Sequence, residues 1–385
     1  MPGSIYSTVL GQCLRGEPWS RELLGRLHEP ALFSVLAEGL SDRFETRLVE
    51  AYADIFCEVI AAARPDLNAG GLRARYERVR RTRPFSGAEP RTVFVLSRIT
   101  LGADVAVTSV LFDALKRRFR GAQILFVAPR KSYDLFAADP RISHLAVLYG
   151  GTLEERLRAP WLDQPDAIVV DPDSRMSQLG LLPVCPEERY YFFESRSYGG
   201  DGNEPLPALA RRWAREVFGV TDARPYLAPA ASPAAQGAIT VSLGVGENPA
   251  KRIGGDFEPR LLALLAGTGL PVVVDSGGSA DEAERVRRAA EACGAPVRVL
   301  AGSFATFAAT IAASRLYAGY DSAGQHVAAA AGIPLISIFR GFSSDRFFER
   351  WKPAGKGKIE IIRADQQADA VLARIGEILR PGGLL

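Results

Sequence analysis

The segment from Arg315 to Phe339, RLYAGYDSAGQHVAAAAGIPLISIF, admits fewer folds than any other part of the chain. Arg315 to Ala318 is a short β-prone run, and Gly319 is able to turn the chain. Asp321 and Ser322 are side chains that cap a helix start by accepting from its orphan N–H groups. Ala323 to Ala331 follows as an almost unbroken run of small helix formers, stopped by Gly332-Ile333-Pro334. Leu335 to Phe339 is an apolar strand. Strand, helix and strand joined at this length require parallel strands and a right-handed crossover. Ser322, Ala323 and Gly324 then stand at a helix N-terminus beside the carboxyl end of a strand. Free N–H groups and the positive end of the helix dipole make such a place an anion site, commonly for phosphate. His326 lies on the first turn, within reach of whatever binds there. The residues alone leave a second reading open, in which the unit only packs and the histidine is a satisfied core residue.

The rest of the composition excludes several classes. A chain of 385 residues is too long for one typical core and suggests two or three domains. Its hydrophobic share of 47% and charged share of 24% are those of an ordinary globular protein. A net charge of +3 is only mildly basic, and the arginine clusters lack interleaved aromatics, so no nucleic-acid partner is expected. Cys13, Cys57, Cys185 and Cys293 are scattered without a C-x-x-C pair, which fits reduced thiols in the cytoplasm. His28, His144 and His326 are too dispersed for a multi-histidine metal site, and no metal is expected. Neither a signal-peptide pattern nor an 18-residue apolar run is present.

Taken in order, residues 1–85 read as a helical N-terminal extension. Helical spacing covers Ser20 to Leu27, Pro30 to Leu40 and Ser41 to Arg64, with Phe44, Leu48, Ile55 and Val59 on one face. The basic stretch GLRARYERVRRTR, Gly71 to Arg83, reads first as a solvated helix face. Contact with an anionic acceptor, a partner or a membrane surface is the sharper alternative. PFSGAEP follows as a linker. Residues 90–228 alternate strands and helices: Thr92 to Ser97, Gln123 to Ala128, His144 to Tyr149 and Ala167 to Asp171 as strands, Val105 to Arg118 and Leu206 to Phe218 as helices. Tyr226 to Gly237 is a Pro/Ala-rich linker. Residues 237–385 repeat the alternation, with strands at Ala238 to Leu243, Pro271 to Asp275 and Val297 to Leu300 ahead of the segment described first. A final helix spans Gln366 to Leu379. The fold class is α/β, two Rossmann-like doubly wound domains. In such sheets ligands bind beyond the carboxyl ends of the strands.

Several of these strand ends resemble the lipopolysaccharide heptosyltransferases, family 9 glycosyltransferases of the GT-B fold. Asp321, Ser322, His326, Ala328 to Ala330, Gly332 and Pro334 fall in register with that family's C-terminal signature, with Ala323 in place of its glycine and Gly324 in place of its proline. Arg98, Leu101, Gly102, Asp104 and Val105 follow the order of its R-x-x-x-L-G-D-V loop, with Ala103 inserted. Asp171, Arg175 and Ser177 match its D-L-Q-G-x-x-R-S segment, and Lys251-Arg252 its K-R loop. The resemblance runs from about residue 91 to 380 and leaves the first 90 unexplained.

It implies an inverting, metal-independent glycosyltransferase without cofactor, moving a sugar from a nucleotide diphosphate sugar, ADP-heptose favoured, to a hydroxyl acceptor. The donor would be held by Gly246, Lys251, Arg252, Gly277, Gly302, Asp321, Ser322, Ala323, Gly324 and His326. Asp104 would be the base, with Arg98, Asp171 and Arg175 on the acceptor side and the last helix crossing back to the first domain. Each role has a plainer counterpart: Asp104 as the cap of the Val105 helix, Asp171 as a strand end, Lys251 and Arg252 as a solvated pair. Glycan, protein and natural product are all open as acceptor, as are oligomeric state and peripheral contact with the inner membrane face. A sugar-nucleotide epimerase or hydrolase on the same fold, and a nucleotide-sugar-binding protein without turnover, are the competing functions.

Overall fold

The computed structural model describes residues 5–19, 31–246, 248–365, 367–380 and 382–384. The helix expected at Ser20 to Leu27 lies outside them. Two all-parallel sheets carry the fold. The first joins β1 (Thr92–Leu96), β2 (Gln123–Ala128), β3 (Ile142–Ala146), β4 (Ala167–Asp171) and β5 (Tyr190–Phe192) in the order β3-β2-β1-β4-β5. The second joins β6 (Ile239–Ser242), β7 (Val272–Asp275), β8 (Val297–Leu300), β9 (Leu316–Tyr320), β10 (Leu335–Phe339) and β11 (Ile359–Arg363) in the order β11-β10-β9-β6-β7-β8. In both sheets the strand order reverses around the first strand, which opens a crevice at its carboxyl end.

Alternation along each strand decides what covers each face. Val93 and Val95 of β1 point to one side, with Ile124 and Phe126 of β2, and pack under the helices Ser109–Arg118 and Leu206–Phe218. Phe94 and Leu96 point to the other, with Val127, Val169, Tyr190 and Phe192, and here the covering layer is the N-terminal helices. Helix Thr46–Ala63 supplies Leu48, Tyr52, Ile55, Phe56 and Val59 to that core, and helix Ala69–Val79 supplies Leu72 and Tyr76. The extension is therefore one of the two layers on the first sheet, and not an appendage. Its supposed linker is a strap: Phe85 packs edge-on to Phe119 and against Tyr191 and Phe218.

The arginine run is only partly solvated: Arg75 is buried and Arg73 and Arg80 are half-buried, while Arg78 and Arg81 are exposed. Arg73 pairs with Glu50, Asp54 and Glu77, Arg78 with Glu187, and Arg80 with Glu50. Arg75 is buried and donates to the Gly180 carbonyl at 2.7 Å. Arg83 donates to the carbonyls of Glu187 and Glu188.

The segment 315–339 forms β9, the helix Ala323–Ala331 and β10, paired in parallel, with Gly332 in the left-handed conformation that stops the helix. Gly319 does not turn the chain. It sits inside β9, where a Cβ would come 2.5 Å from the Ser242 carbonyl of neighbouring β6. Helix Ala368–Ile378 does not cross back to the first domain. It packs on helix Phe257–Ala266 of its own domain. The crossing contact is made instead by helix Asp345–Trp351: Arg350 donates to the carbonyls of Glu204 (2.9 Å) and Gly200 (3.1 Å), and Arg346 to that of Phe44 (2.5 Å).

Candidate functional site

The site is built where the carboxyl edges of the two sheets meet. Helix Ala323–Ala331 starts at Ser322, whose extended backbone is that of a capping residue, yet its side chain does not cap. Ser322 Oγ lies 3.4 Å from the Tyr317 hydroxyl instead. Asp321 is turned away to Lys251 and Gln325, so neither residue expected as a cap satisfies the first N–H groups of the helix. Gly324 is required by packing, since a Cβ there would run into the Tyr317 ring. Lys251 reaches this place from the loop after β6. Asn248 holds that loop, its side chain accepting from Ala250 and donating to the Gly341 carbonyl at 3.1 Å. Lys251 Nζ donates to the Asp321 carboxylate at 2.8 Å and to the Asp321 carbonyl at 3.1 Å. Gln325 donates to the same carboxylate at 2.5 Å and accepts from Ser337. Arg252 is held loosely, 3.7 Å from Glu258, with 41% of its side chain exposed.

Gly246 (φ 59°), Gly277 (φ 88°) and Gly302 lie in the loops after β6, β7 and β8, so the strand order β9-β6-β7-β8 sets them along the same edge as Ser322. His326 is buried, and burial pushes its ring down to about 4, so it is neutral at pH 7. Trp351 lies edge-on to it at 5.8 Å, and the Phe347 ring centroid is 5.8 Å from Lys251 Nζ. Phe44, in the turn before helix Thr46–Ala63, completes this aromatic wall against Phe347 and Trp351.

Across the cleft, the loop after β1 meets the helix start directly. A Cβ on Gly102 would sit 3.2 Å from Ala323 Cα and 3.3 Å from His326 Cδ2. Asp104, in a wide helical turn just beyond, faces away from that contact. It is fully buried and accepts from Ser97 Oγ (2.7 Å), the Arg98 amide (2.8 Å) and Thr108 Oγ1 (2.8 Å). Burial raises its pKa and those bonds oppose the rise. A carboxylate so enclosed orders its own loop. It does not cap: the helical turn before it starts from Thr100.

Asp171 is held in the same manner by Ser177, Tyr190 and the Ser174 amide, and burial lifts it to about 6. Arg98 donates to the Pro172 carbonyl (2.6 Å) and Ser195 Oγ (2.9 Å), and burial lowers it to about 10. Arg175 lies 3.6 Å from Glu38. Two strained residues mark the strand ends on either side of this crevice, Ile99 after β1 and Asp173 after β4, both at φ 74°. The sequence offered Phe44 only as part of an apolar helical face and gave no sign of Trp351, Asp173 or Arg196. The aromatic-rich YYFFESRSYGG was the one signal near them, and it holds β5 and Arg196. Among the described residues no three His, Cys, Asp or Glu side chains are grouped to hold a metal ion. No described helix is long and apolar enough to cross a membrane.

Residues 247–373 match the family described as glycosyltransferase family 9 (heptosyltransferase). Lipopolysaccharide heptosyltransferase 3 of Escherichia coli is 36% identical over 108 residues, which are 27% of this chain and 31% of that protein. The match thus spans about a third of that curated relative's length. Among solved structures, E. coli heptosyltransferase WaaC with ADP superposes with a TM-score of 0.54 at 16% identity, covering 74% of this chain and 99% of that one. The same enzyme with ADP-2-deoxy-2-fluoro heptose gives 0.52 at 17%, again over 74% and 99%. At these identities the likeness is one of fold, two Rossmann-like domains in the GT-B arrangement.

Proposed function

We propose that the chain moves a sugar from a nucleotide diphosphate sugar to a hydroxyl acceptor, a reading supported by the match of residues 247–373 to glycosyltransferase family 9. ADP-heptose is the favoured donor, from the ADP and ADP-heptose analogue named in the WaaC structures. The observation that carries the reading is local: a helix start at Ala323 without side-chain caps, with Lys251 beside it and Arg252 on the same loop. The N–H groups and the two cations would hold the diphosphate, and Asp321 keeps Lys251 aimed at it. As the acceptor oxygen bonds to the anomeric carbon, the bond from that carbon to the diphosphate oxygen breaks and the nucleotide diphosphate leaves. The acceptor's proton passes to a base. Charge that develops on the leaving diphosphate is met by groups already in place, which is where the rate gain arises.

The test is ADP binding by thermal shift, with release of ADP from ADP-heptose in the presence of hydroxyl acceptors. Lys251→Ala should weaken ADP binding by about tenfold or more, as removal of a charge-assisted bond does. Binding of ADP unaffected by Lys251→Ala would place the nucleotide elsewhere. Asp104 enters the same experiment as a positioning residue. Asp104→Asn should lower kcat/KM and cost about 1–3 kcal/mol of stability, while leaving the shape of the pH–rate profile intact. Loss of the profile's acid limb would restore it as the base. The enclosure of Asp104 also favours one second reading, nucleotide-sugar binding without turnover. Tight ADP-heptose binding with no sugar transferred and no ADP released would select it.

A further inference from the structure

The carboxyl end of helix Ala323–Ala331 also meets the other domain. Ala329 to Gly332 line a cavity of about 580 Å³ between the two domains. The first domain closes it with helices Ser109–Arg118 and Leu206–Phe218 and the loop 223–226, and the second with residues 354–356. Nine helical residues at 1.5 Å each set this end about 13 Å from the Ala323 helix start. The volume is within the range of ordinary small-molecule sites.

The charge around the cavity is one-sided. Arg117, Arg211, Arg224 and Lys356 line it, with Asp113 as its acid. Asp113 is already taken: Arg117 pairs with it at 2.7 Å, and the Arg224 amide donates to it at 2.9 Å. Among the described residues, the side chains of Arg211, Arg224 and Lys356 make no ion pair or hydrogen bond. The remaining lining is proline, alanine and glycine, with Tyr226, whose hydroxyl is spent on Asp139. The helix end itself is negative, but by only about half a charge. Its Ala329 and Ala328 carbonyls already accept from the amides of Gly332 (3.1 Å) and Ile333 (2.9 Å). Three unmatched cations outweigh it. A cleft lined by one sign of charge concentrates counter-ions, and arginine forks match phosphate oxygens in particular.

We propose that this cavity is a second binding site, for a small phosphorylated anion held by Arg211 and Arg224 from the first domain and Lys356 from the second. It is separate from the diphosphate place at Ala323 and does not depend on the sugar-transfer reading. An anion bonded from both sides favours the arrangement in which the domains are closed, so its binding is linked to their opening.

Pyrophosphate is the probe, titrated into the full chain by calorimetry and followed by thermal shift, with sodium chloride at matched ionic strength as the control. Lys251→Ala removes the cation of the other phosphate place, and pyrophosphate should still bind this variant. In that background, Arg211→Ala together with Lys356→Ala should raise the pyrophosphate Kd by about tenfold or more, as the loss of two charge-assisted bonds does. Each change alone should raise it by less. Arg211 and Lys356 are exposed, so the melting temperature without pyrophosphate should stay where it was. The proposal is overturned if Lys251→Ala alone abolishes binding, if the Arg211 and Lys356 changes leave the Kd unmoved, or if sodium chloride reproduces the thermal shift. If Arg211→Ala weakens binding and Lys356→Ala does not, the anion is held by one domain and the bridging assignment falls.

Discussion

His326 shows how much a single buried residue sets. The first turn of the helix Ala323–Ala331 puts it in the closed contact between the two domains, and burial lowers its pKa to about 4. Unfolded, the ring takes a proton near its ordinary value of about 6.5. Protonation therefore favours the unfolded chain: the contribution is whole above about pH 6.5 and shrinks as pH falls toward 4, by up to about 3 kcal/mol. Asp171, lifted to about 6, works in the opposite sense, its contribution declining as pH rises through that value. The informative quantity is thus the difference between the chain and His326→Gln. Denaturant unfolding at each pH from 7 to 4 should show the variant's stability falling less steeply below pH 6.5. Parallel curves would mean that the ring is protonated in the fold. The histidine was legible in the sequence as part of the site. Its neutral state was not, because that follows from Trp351 and Gly102, residues distant in the chain that close over it.

At the scale of elements, the strand–helix–strand units were readable because period and punctuation agree, as in β1, β4 and the pair β9 and β10. What the N-terminal helices do was not readable. Their apolar stripe says that they bury a face, but nothing local says whose face. The answer lies in β1, where Phe94 and Leu96 are as apolar as Val93 and Val95, so that both sides of the strand need cover. Likewise the arginine run reads as solvated until Glu50, Glu187 and Glu194 arrive from other elements. A chain beginning at Arg91 would bare Phe94, Leu96, Val127, Val169, Tyr190 and Phe192 together. Such a truncation should aggregate or bind a hydrophobic dye, whereas a soluble, cooperatively melting fragment would show that the helices are dispensable. Phe44→Ala, a smaller change just before helix Thr46–Ala63, removes a ring packed on Phe347 and Trp351 and should cost about 3–5 kcal/mol as a buried aromatic deletion does. Chemical unfolding measures it.

In the whole molecule one core runs through both domains, from β1 and the helix Ser109–Arg118 to Phe307, Ile311, Tyr317 and Val327. The cleft is thus held shut from two sides, by this core and by helix Asp345–Trp351. Arg350 is the centre of the second closure. It is fully buried, donates to two carbonyls of the 200–204 loop, and is lowered to about 10 by burial and by neighbouring Arg346, so it remains charged at pH 7. Charged donors on backbone carbonyls contribute about 1.5–3 kcal/mol each, enough to hold the domains together and few enough for a bound substrate to outweigh. On the proposed function, a diphosphate reaching the Ala323 helix start would part the Gly102–Ala323 contact, and opening would be a step in the cycle. Arg350→Ala should therefore shift the ligand-free protein toward an open form, seen as a larger radius of gyration in solution scattering, and should speed ADP association measured by stopped flow. Arg350→Lys, with its shorter reach and no fork, should fall between the two. If the variants lose melting temperature but keep the scattering curve and the association rate of the unaltered chain, Arg350 serves packing alone and the closure resides in the shared core.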